Sequence, residues 1–543
     1  MTNPASRRAS SAAFDYIIVG SGAAGSILAD RLSRDSSASV LVLEAGGSDR
    51  SPLHRVPKGF FYTMGSKRYT KVFEAEPDAS GYVASLPRGR VLGGSTTING
   101  MFWNRGWASA YEAWQRSGIQ GWSWDRFLVA FKALEDHELG ESPARGSGGP
   151  VPVSVARPPD PVSDTFIAAL GKHGIAMTDD MNDSDEERVA YASANVGSGL
   201  RVSASQAFLR PARRRPNVTV LTRAEVDRVT FDGSAATGVE VTRRGKKLRF
   251  RAHREVLVCA GGLDSPLLLE RSGVGDPDIL KAAGVPVVVP SPSVGENLND
   301  HGCGLIFQVK LKGESGLNAT VSSMFGKGWT GFKYLFTREG LVSYGAYNVA
   351  AMYKSDANSP HPDTQAFFTP LSATAVHPRT GRMIVDEFPG AMLNAYMMYP
   401  TSRGSIHITG SGIKDKPRLI PNHLTTEHDR ALLPKVYEKA RELLATEPFA
   451  GLVEAEVVPG HPLGCEEIFQ YCLTKAVGYH SIGGCAIGGT EDSVVDDRLR
   501  VRGTTKLRVV DASVFPTQPG GNNNAPTQAM AWIAADIIME DHR

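Results

Sequence analysis

A chain of 543 residues, 41% hydrophobic and 21% charged, has an ordinary globular composition and room for about two to four domains or one large interleaved pair. Lys+Arg 59 against Asp+Glu 57 leaves +2, so the bulk charge calls for neither nucleic acid nor an acidic membrane as partner. No apolar run approaches the ~18 residues of a membrane span, and Gly 57 with Pro 33 exceeds the usual combined share of ~12 per cent, which predicts long loops and close backbone approaches.

The chain starts "MTNPASRRASSAAF". Arg7 and Arg8 look like the opening of a twin-arginine signal, but no apolar segment follows, so residues 1–13 read as a disordered tail. "FDYIIVGSGAAGSILADRLSRD" then joins an apolar run, Tyr16 to Val19, to a glycine-rich turn and to Ile27, Leu28 and Leu32 at helical spacing. A second strand, "SVLVLEAGG", places Glu44 19 residues beyond Gly25. Strand, turn, helix and spaced carboxylate together make a dinucleotide fingerprint. In it Gly20 makes the turn, Gly22 admits a pyrophosphate to the backbone, Gly25 lets the helix lie close to its strand, and Glu44 accepts from a ribose. The helix N-terminus favours the phosphate charge.

In "GRVLGGSTTINGMFWNRGWASAYE", Gly93, Gly94 and Ser95 give a loop whose backbone N–H groups can press against a diphosphate or a ring edge, and Asn99 reads as buried polar support. "LGESPARGSGGPVPVSV" reads as a connector, and "NVTVLT", "EVDRVTF", "ATGVEV" and "LRFRA" as short strands. "EVLVCAGG" returns a buried strand to the first sheet. "GGLDSPLLLERSGVG" and "VGENLNDH" follow, then mixed strands and helices such as "TEHDRALLPKVYEKARELLAT". Near the end come "YHSIGGCAIGG", "KLRVVDASVFPTQ" and the triplet Asn522, Asn523, Asn524. Asparagine caps helices and Pro526 suits an early turn, so a helix starts there. Asp511 reads either as a cofactor contact or as a cap.

These stretches, in this order, resemble the signatures of the glucose-methanol-choline (GMC) family of FAD-dependent oxidoreductases. The likeness runs from Phe14 to Ile538 and thins between about Leu305 and Phe449 to "PTSRG". The resemblance implies an α/β fold: a Rossmann-like FAD-binding domain (14–155, 201–301, 477–543) with an interleaved α+β substrate-binding domain (156–200, 302–476). It also implies FAD contacts from Gly20, Gly22, Gly25, Glu44, Arg90, Gly93, Gly94, Ser95, Asn99, Val226, Asp511, Ala512 and Asn523. Ile98 stands where some members carry a histidine that bonds FAD covalently, so noncovalent FAD is expected.

By the same resemblance His480 and Asn522, 42 residues apart, face the reactive ring. A neutral imidazole can take the proton of an alcohol while flavin N5 receives the hydride, and Asn522 can donate to the alkoxide. The expected reaction is oxidation of an aryl, furanic or other primary alcohol to the aldehyde or ketone. Oxygen, giving hydrogen peroxide, or a quinone-like compound is the acceptor. Phe102, Trp103, Phe367, Phe368, Tyr396 and Tyr399 supply candidate aromatic lining, and His301 reads as structural.

Two alternatives accompany this reading. "GGC" at Gly483 to Cys485, where the family usually has "GTC", is similar to plant hydroxynitrile lyases of the same fold, in which the flavin is redox-silent. The other is a flavin-binding protein without activity. The five cysteines are odd in number and form no CxxC pair, which suggests no disulfide framework or zinc site and fits a reducing, cytoplasmic setting. Cys485 reads as a small packed residue.

Overall fold

The computed structural model describes residues 12–78, 81–155, 160–313, 315–376, 383–475 and 478–543. Its first strand, Ala13–Val19, has Tyr16 to Val19 buried without alternation, the pattern of a strand covered on both faces. It runs parallel to Val40–Glu44 on one side and to the C-terminal half of Lys246–Val258 on the other. Val218–Thr222 and Leu507–Val509 extend this parallel layer outward. The tail expected over 1–13 ends earlier than that: Ala13 already pairs with Arg251, and residues 1–11 lie outside the described ones.

The N-terminal half of Lys246–Val258 leaves the parallel layer and pairs antiparallel with Ala235–Arg243, which pairs with Ala224–Asp232. Sequence reading separates "LRFRA" from "EVLV". The structure joins them in one strand of 13 residues, because no Gly or Pro between them interrupts extended backbone. The helices Ala23–Leu32 and Asn524–Asp541 pack against each other beside this sheet. Helix Asn524–Asp541 is apolar on nearly every side and correspondingly buried.

A second sheet has the order Val453–Val458, Gly304–Leu311, Gly390–Met397, Thr364–Thr369, Val349–Tyr353, Arg188–Tyr191, Ala176–Met177. Side chains alternate across it. Leu305, Phe307, Leu393 and Phe368 pack with Leu433 and Val436 of helix Glu427–Leu444. Ile306, Met392 and Phe367, one residue out of step, face the other way and line a cavity. The period-2 alternation thus separates two apolar faces, and the packing of helix Glu427–Leu444 makes one of them a core and leaves the other to the cavity.

Candidate active site

The cavity, about 1400 Å³, lies between the C-terminal ends of the parallel strands and the open face of the second sheet. That end of a parallel sheet is where open α/β folds bind ligands. Small-molecule sites run to roughly 300–1,000 Å³, so this volume has room for a dinucleotide beside a small substrate.

The glycine fingerprint forms one end. A Cβ on Gly20 (φ +101°) would stand 2.3 Å from the Cys259 carbonyl oxygen, and one on Gly25 would stand 2.0 Å from the Gly20 carbonyl oxygen. Both positions therefore exclude every other residue. Gly22 differs: its missing Cβ would meet nothing within 4 Å, so it opens the cavity at the N-terminus of helix Ala23–Leu32 rather than serving a packing contact. Glu44 is buried. Its Oε2 accepts from the Ser21 N–H (3.1 Å) and the Ser21 hydroxyl (2.6 Å), and its Oε1 accepts from the Gly46 N–H (2.7 Å). Burial raises this carboxyl above its ordinary range against those donors. Oε1 keeps a lone pair for a further donor.

Gly93 and Gly94 both have positive φ, and a Cβ on Gly94 would stand 3.0 Å from the Gly22 Cα, so the two glycine loops close on each other. Ser95, exposed to the cavity, accepts from the Gly89 N–H at 3.0 Å. Asn99 is part-exposed rather than buried as expected. Its Oδ1 accepts from Arg201 (2.8 Å) and from the Met101 N–H (3.1 Å), which leaves its amide N–H groups for the cavity. Arg90 pairs with Glu225 at 2.9 Å, and both line the cavity with Val226 and Ala512. Asp511 caps the turn Ala512–Val514 and accepts from the Gly261 N–H (2.8 Å), tying the C-terminal segment to the Gly261 loop.

At the other end stands His480, partly open to the cavity yet closely packed by protein. Its Nδ1 is 3.1 Å from His301 Nδ1, and its Nε2 is 2.9 Å from Asn522 Nδ2. His301 Nε2 lies 2.8 Å from the Met398 carbonyl, which can only accept, so His301 carries its proton on Nε2 and has a bare Nδ1. His480 must then donate from Nδ1 and keep a bare Nε2, to which Asn522 donates. Burial first, then His301, push the His480 imidazole down from 6.5 to about 3, with Asp300 opposing and Arg88 adding to the fall.

The backbone supports this arrangement. Asp300 accepts from the His480 N–H at 2.9 Å and pairs with Arg88 at 3.4 Å. Asn523, expected to cap the last helix or touch the cofactor, makes no side-chain cap; its amide donates to the His480 carbonyl at 3.1 Å. The physical reason is competition: that carbonyl lies within reach and, among the described residues, is otherwise met only by Gln518. Gly520 and Gly521 (φ +95° and +96°) bring Asn522 into line, with a Cβ on Gly521 falling 2.4 Å from both Asn104 Nδ2 and Gln365 Oε1.

These observations fit a bound dinucleotide cofactor. The two glycine loops leave an open cradle at Gly22, and Asn524 Nδ2, buried and lining the cavity, has no hydrogen-bond partner. Comparison with known proteins identifies the class. The GMC oxidoreductase family matches residues 14–303 with its N-terminal part and 400–531 with its C-terminal part. The chain belongs to the GMC oxidoreductases. It is 36% identical over 534 residues to the oxygen-dependent choline dehydrogenase of Vibrio vulnificus (strain YJ016), covering 97% of this chain and 94% of that protein. Against the mitochondrial choline dehydrogenase of Homo sapiens it is 35% identical over 543 residues, covering 97% and 89%. The crystal structure of pyridoxine 4-oxidase from Mesorbium loti superposes with TM-score 0.84 at 31% identity, covering 97% and 99%.

The chain is thus an FAD-dependent GMC oxidoreductase that acts on alcohols. None of these three relatives is a lyase. Gly484, the departure that suggested one, has a packing explanation: a Cβ there would stand 2.9 Å from Pro266 Cγ. Of the candidate aromatics, Phe102, Phe367 and Tyr396 line the cavity. Trp103 and Phe368 are core residues, and Tyr399 lies outside the lining. Sequence reading missed Arg201, Asp300 and the contact between His301 and His480. The only local signal for the last was the position of His301 at the end of "VGENLNDH".

Proposed function

We propose that this GMC oxidoreductase oxidises a primary alcohol with an aryl or similarly apolar body, with His480 Nε2 as the base. The observation that carries the reading is the bare Nε2 beside the Asn522 amide, fixed by the chain through His301 to the Met398 carbonyl. A substrate hydroxyl that displaces the Asn522 amide from Nε2 donates to Nε2 and accepts from Asn522 Nδ2. As its proton moves to His480, the growing negative charge on oxygen stays against the Asn522 amide. FAD, held by the glycine loops, supplies the hydride acceptor. At about 3 the imidazole is neutral at every working pH, so the base is always available. It is also a weak base, and takes the proton only as the substrate carbon becomes a carbonyl.

The wall beside this pair supports that substrate class. Ile306, Met392, Phe367 and Tyr347 line it, and the strands Gly304–Leu311, Thr364–Thr369 and Gly390–Met397 contribute no Asp or Glu, while Glu387, just before the last of them, lines the cavity. A quaternary ammonium such as choline, named in the relatives, is held by carboxylates or by a cage of ring faces. Here Tyr347 and Phe367 stack on each other at 4.0 Å and 10°, which occupies one face of each ring. Ile98, which lines the cavity, offers no atom for a covalent bond to FAD, in keeping with noncovalent binding.

Anaerobic absorbance titration with aryl, furanic, aliphatic and sugar alcohols and choline tests the proposal. Bleaching of the flavin band by aryl alcohols at low concentration supports it, and bleaching by choline alone overturns the substrate class. Admission of air then reads whether oxygen takes the electrons.

A further inference from the structure

Helix Met324–Thr337 is built with its polarity reversed. Tyr334 is buried at 3% exposure, its hydroxyl donating to the Gly199 carbonyl at 2.9 Å, and Thr330 and Gly331 on the same side line the cavity. The opposite side carries Trp329, Phe332 and Phe336 at i, i+3 and i+7, exposed by 59%, 55% and 75%, with Leu335 beside them at 65%. Phe332 stands between the other two rings: Trp329 and Phe332 at 6.1 Å between centroids, Phe332 and Phe336 at 4.7 Å. A surface helix of a globular protein turns such residues inward, and a contiguous exposed apolar patch marks a surface that is covered in use. Among the described residues nothing covers this one.

Charge decides what covers it. From Asn318 to Glu339 the chain has Lys327, Lys333 and Arg338 against the single carboxylate Glu339; Lys333 is exposed on the aromatic side, whereas Lys327 lies on the cavity side with Thr330 and Gly331. Among the described residues none of these three forms an ion pair with a carboxylate. A second copy docking through the same face about a two-fold axis would set two such cationic segments against each other. An anionic lipid surface instead meets the cations with opposite charge and takes the rings into the boundary between headgroups and acyl chains, as amphipathic helices with aromatic and basic residues do. Each large aromatic side chain carries about 150–250 Å² to bury.

We infer that helix Met324–Thr337 docks the enzyme on the surface of an anionic bilayer through Trp329, Phe332, Leu335 and Phe336. Because the inward side of the same helix lines the cavity, docking places this wall of the cavity at the lipid surface. The attachment is peripheral: among the described residues no helix is long and apolar enough to cross a membrane. This inference stands apart from the choice of alcohol.

Flotation of the full-length, FAD-loaded chain with vesicles tests it. Vesicles of phosphatidylcholine with phosphatidylglycerol should carry the protein upward, and pure phosphatidylcholine should carry less, with added salt narrowing the difference. The triple variant Trp329→Ser/Phe332→Ser/Phe336→Ser should keep its bound flavin and bind anionic vesicles at least about 10-fold more weakly. Lys333→Glu should weaken binding only to the anionic vesicles. The inference is overturned if the wild-type chain stays unbound at low salt, or if the triple variant floats as well as wild type. It is equally overturned if the wild-type chain ignores vesicles and self-associates in sedimentation velocity while the triple variant is monomeric, since a second copy would then own the face.

Discussion

His301 Nδ1 and His480 Nδ1 lie 3.1 Å apart, and only one of them can hold the proton between them. The Met398 carbonyl gives it to His480 by requiring the His301 proton on the far nitrogen. On the proposed mechanism His301 is a positioning residue that selects the tautomer of His480. His301→Gln can reproduce both contacts, its Oε1 accepting from His480 and its Nε2 donating to Met398; His301→Leu can reproduce neither. We expect the Leu variant to slow flavin reduction by about 100-fold, the scale of a lost general base, and the Gln variant to recover most of that rate. Equal losses in both variants would mean that His301 only fills space.

His480→Ala should retain yellow FAD and reduce the rate of anaerobic flavin reduction by at least about 100-fold. Asn522→Ala removes a donor to the developing alkoxide but leaves the base in place, so its loss should be smaller. Rapid-mixing absorbance at saturating alcohol separates the two. Near-normal reduction in His480→Ala would remove the base from the mechanism.

Why these residues differ in legibility follows from the distance over which each contact is made. Gly20, Gly22, Gly25 and Glu44 belong to one strand–turn–helix–strand unit, so their spacing alone carries the fingerprint. His480 and Asn522 were found through resemblance to family motifs. The His301–His480 contact joins positions 179 apart and depends on two unrelated loops meeting, for which no local pattern exists. Asn523 misled in the opposite way: its cap preference is real, but the His480 carbonyl competes for the amide in three dimensions. In the second sheet the sequence reading offers both Phe367 and Phe368 as lining, whereas strand alternation puts only Phe367 on the face that meets the cavity. Both faces of that sheet are apolar, and only the packing of helix Glu427–Leu444 decides between them.

The pH dependence follows from burial. With His480 held at about 3, the neutral base persists far below the 6.5 of a free imidazole, so flavin reduction should stay flat from pH 8 to about 5. An acid limb near 6.5 in the reduction rate would contradict that assignment. Stability has the corresponding sign. The folded value lies below the unfolded one, so the unfolded chain takes the proton first, and stability present at pH 7 declines as pH falls from 6.5 towards about 3. His301 and His423, also lowered by burial, add to the same decline, which urea unfolding across that range would read.

Gly22 and Gly25 separate cofactor binding from folding. An alanine Cβ at position 22 meets nothing within 4 Å and the backbone there has φ −71°, so the apo chain should fold normally. The methyl would instead occupy the approach to the pyrophosphate, and Gly22→Ala should purify with less FAD and rebind it weakly. At position 25 the Cβ falls 2.0 Å from the Gly20 carbonyl oxygen, so Gly25→Ala should lower the melting temperature of the apo chain itself. Flavin absorbance per protein and apo-chain melting curves distinguish the two. If Gly22→Ala keeps full FAD, the cradle lies elsewhere.

Arg105 and Glu135 form a fully buried ion pair beside the first sheet, and Glu135 Oε1 accepts from both Arg105 Nε and Trp103 Nε1 at 2.7 Å. Two opposing effects meet here. Taking both charges out of water is costly, so the pair adds little net stability over an apolar pair of the same shape. Removing one partner strands the other charge, and that costs about 3–5 kcal/mol. Arg105→Met alone should therefore shift the urea midpoint of the apo chain strongly downward. The double variant Arg105→Met/Glu135→Leu should recover part of the loss, limited by the Trp103 N–H left without an acceptor. Recovery is the informative result, because a simple gap left by the shorter side chain would deepen, not shrink, when Glu135 is also replaced.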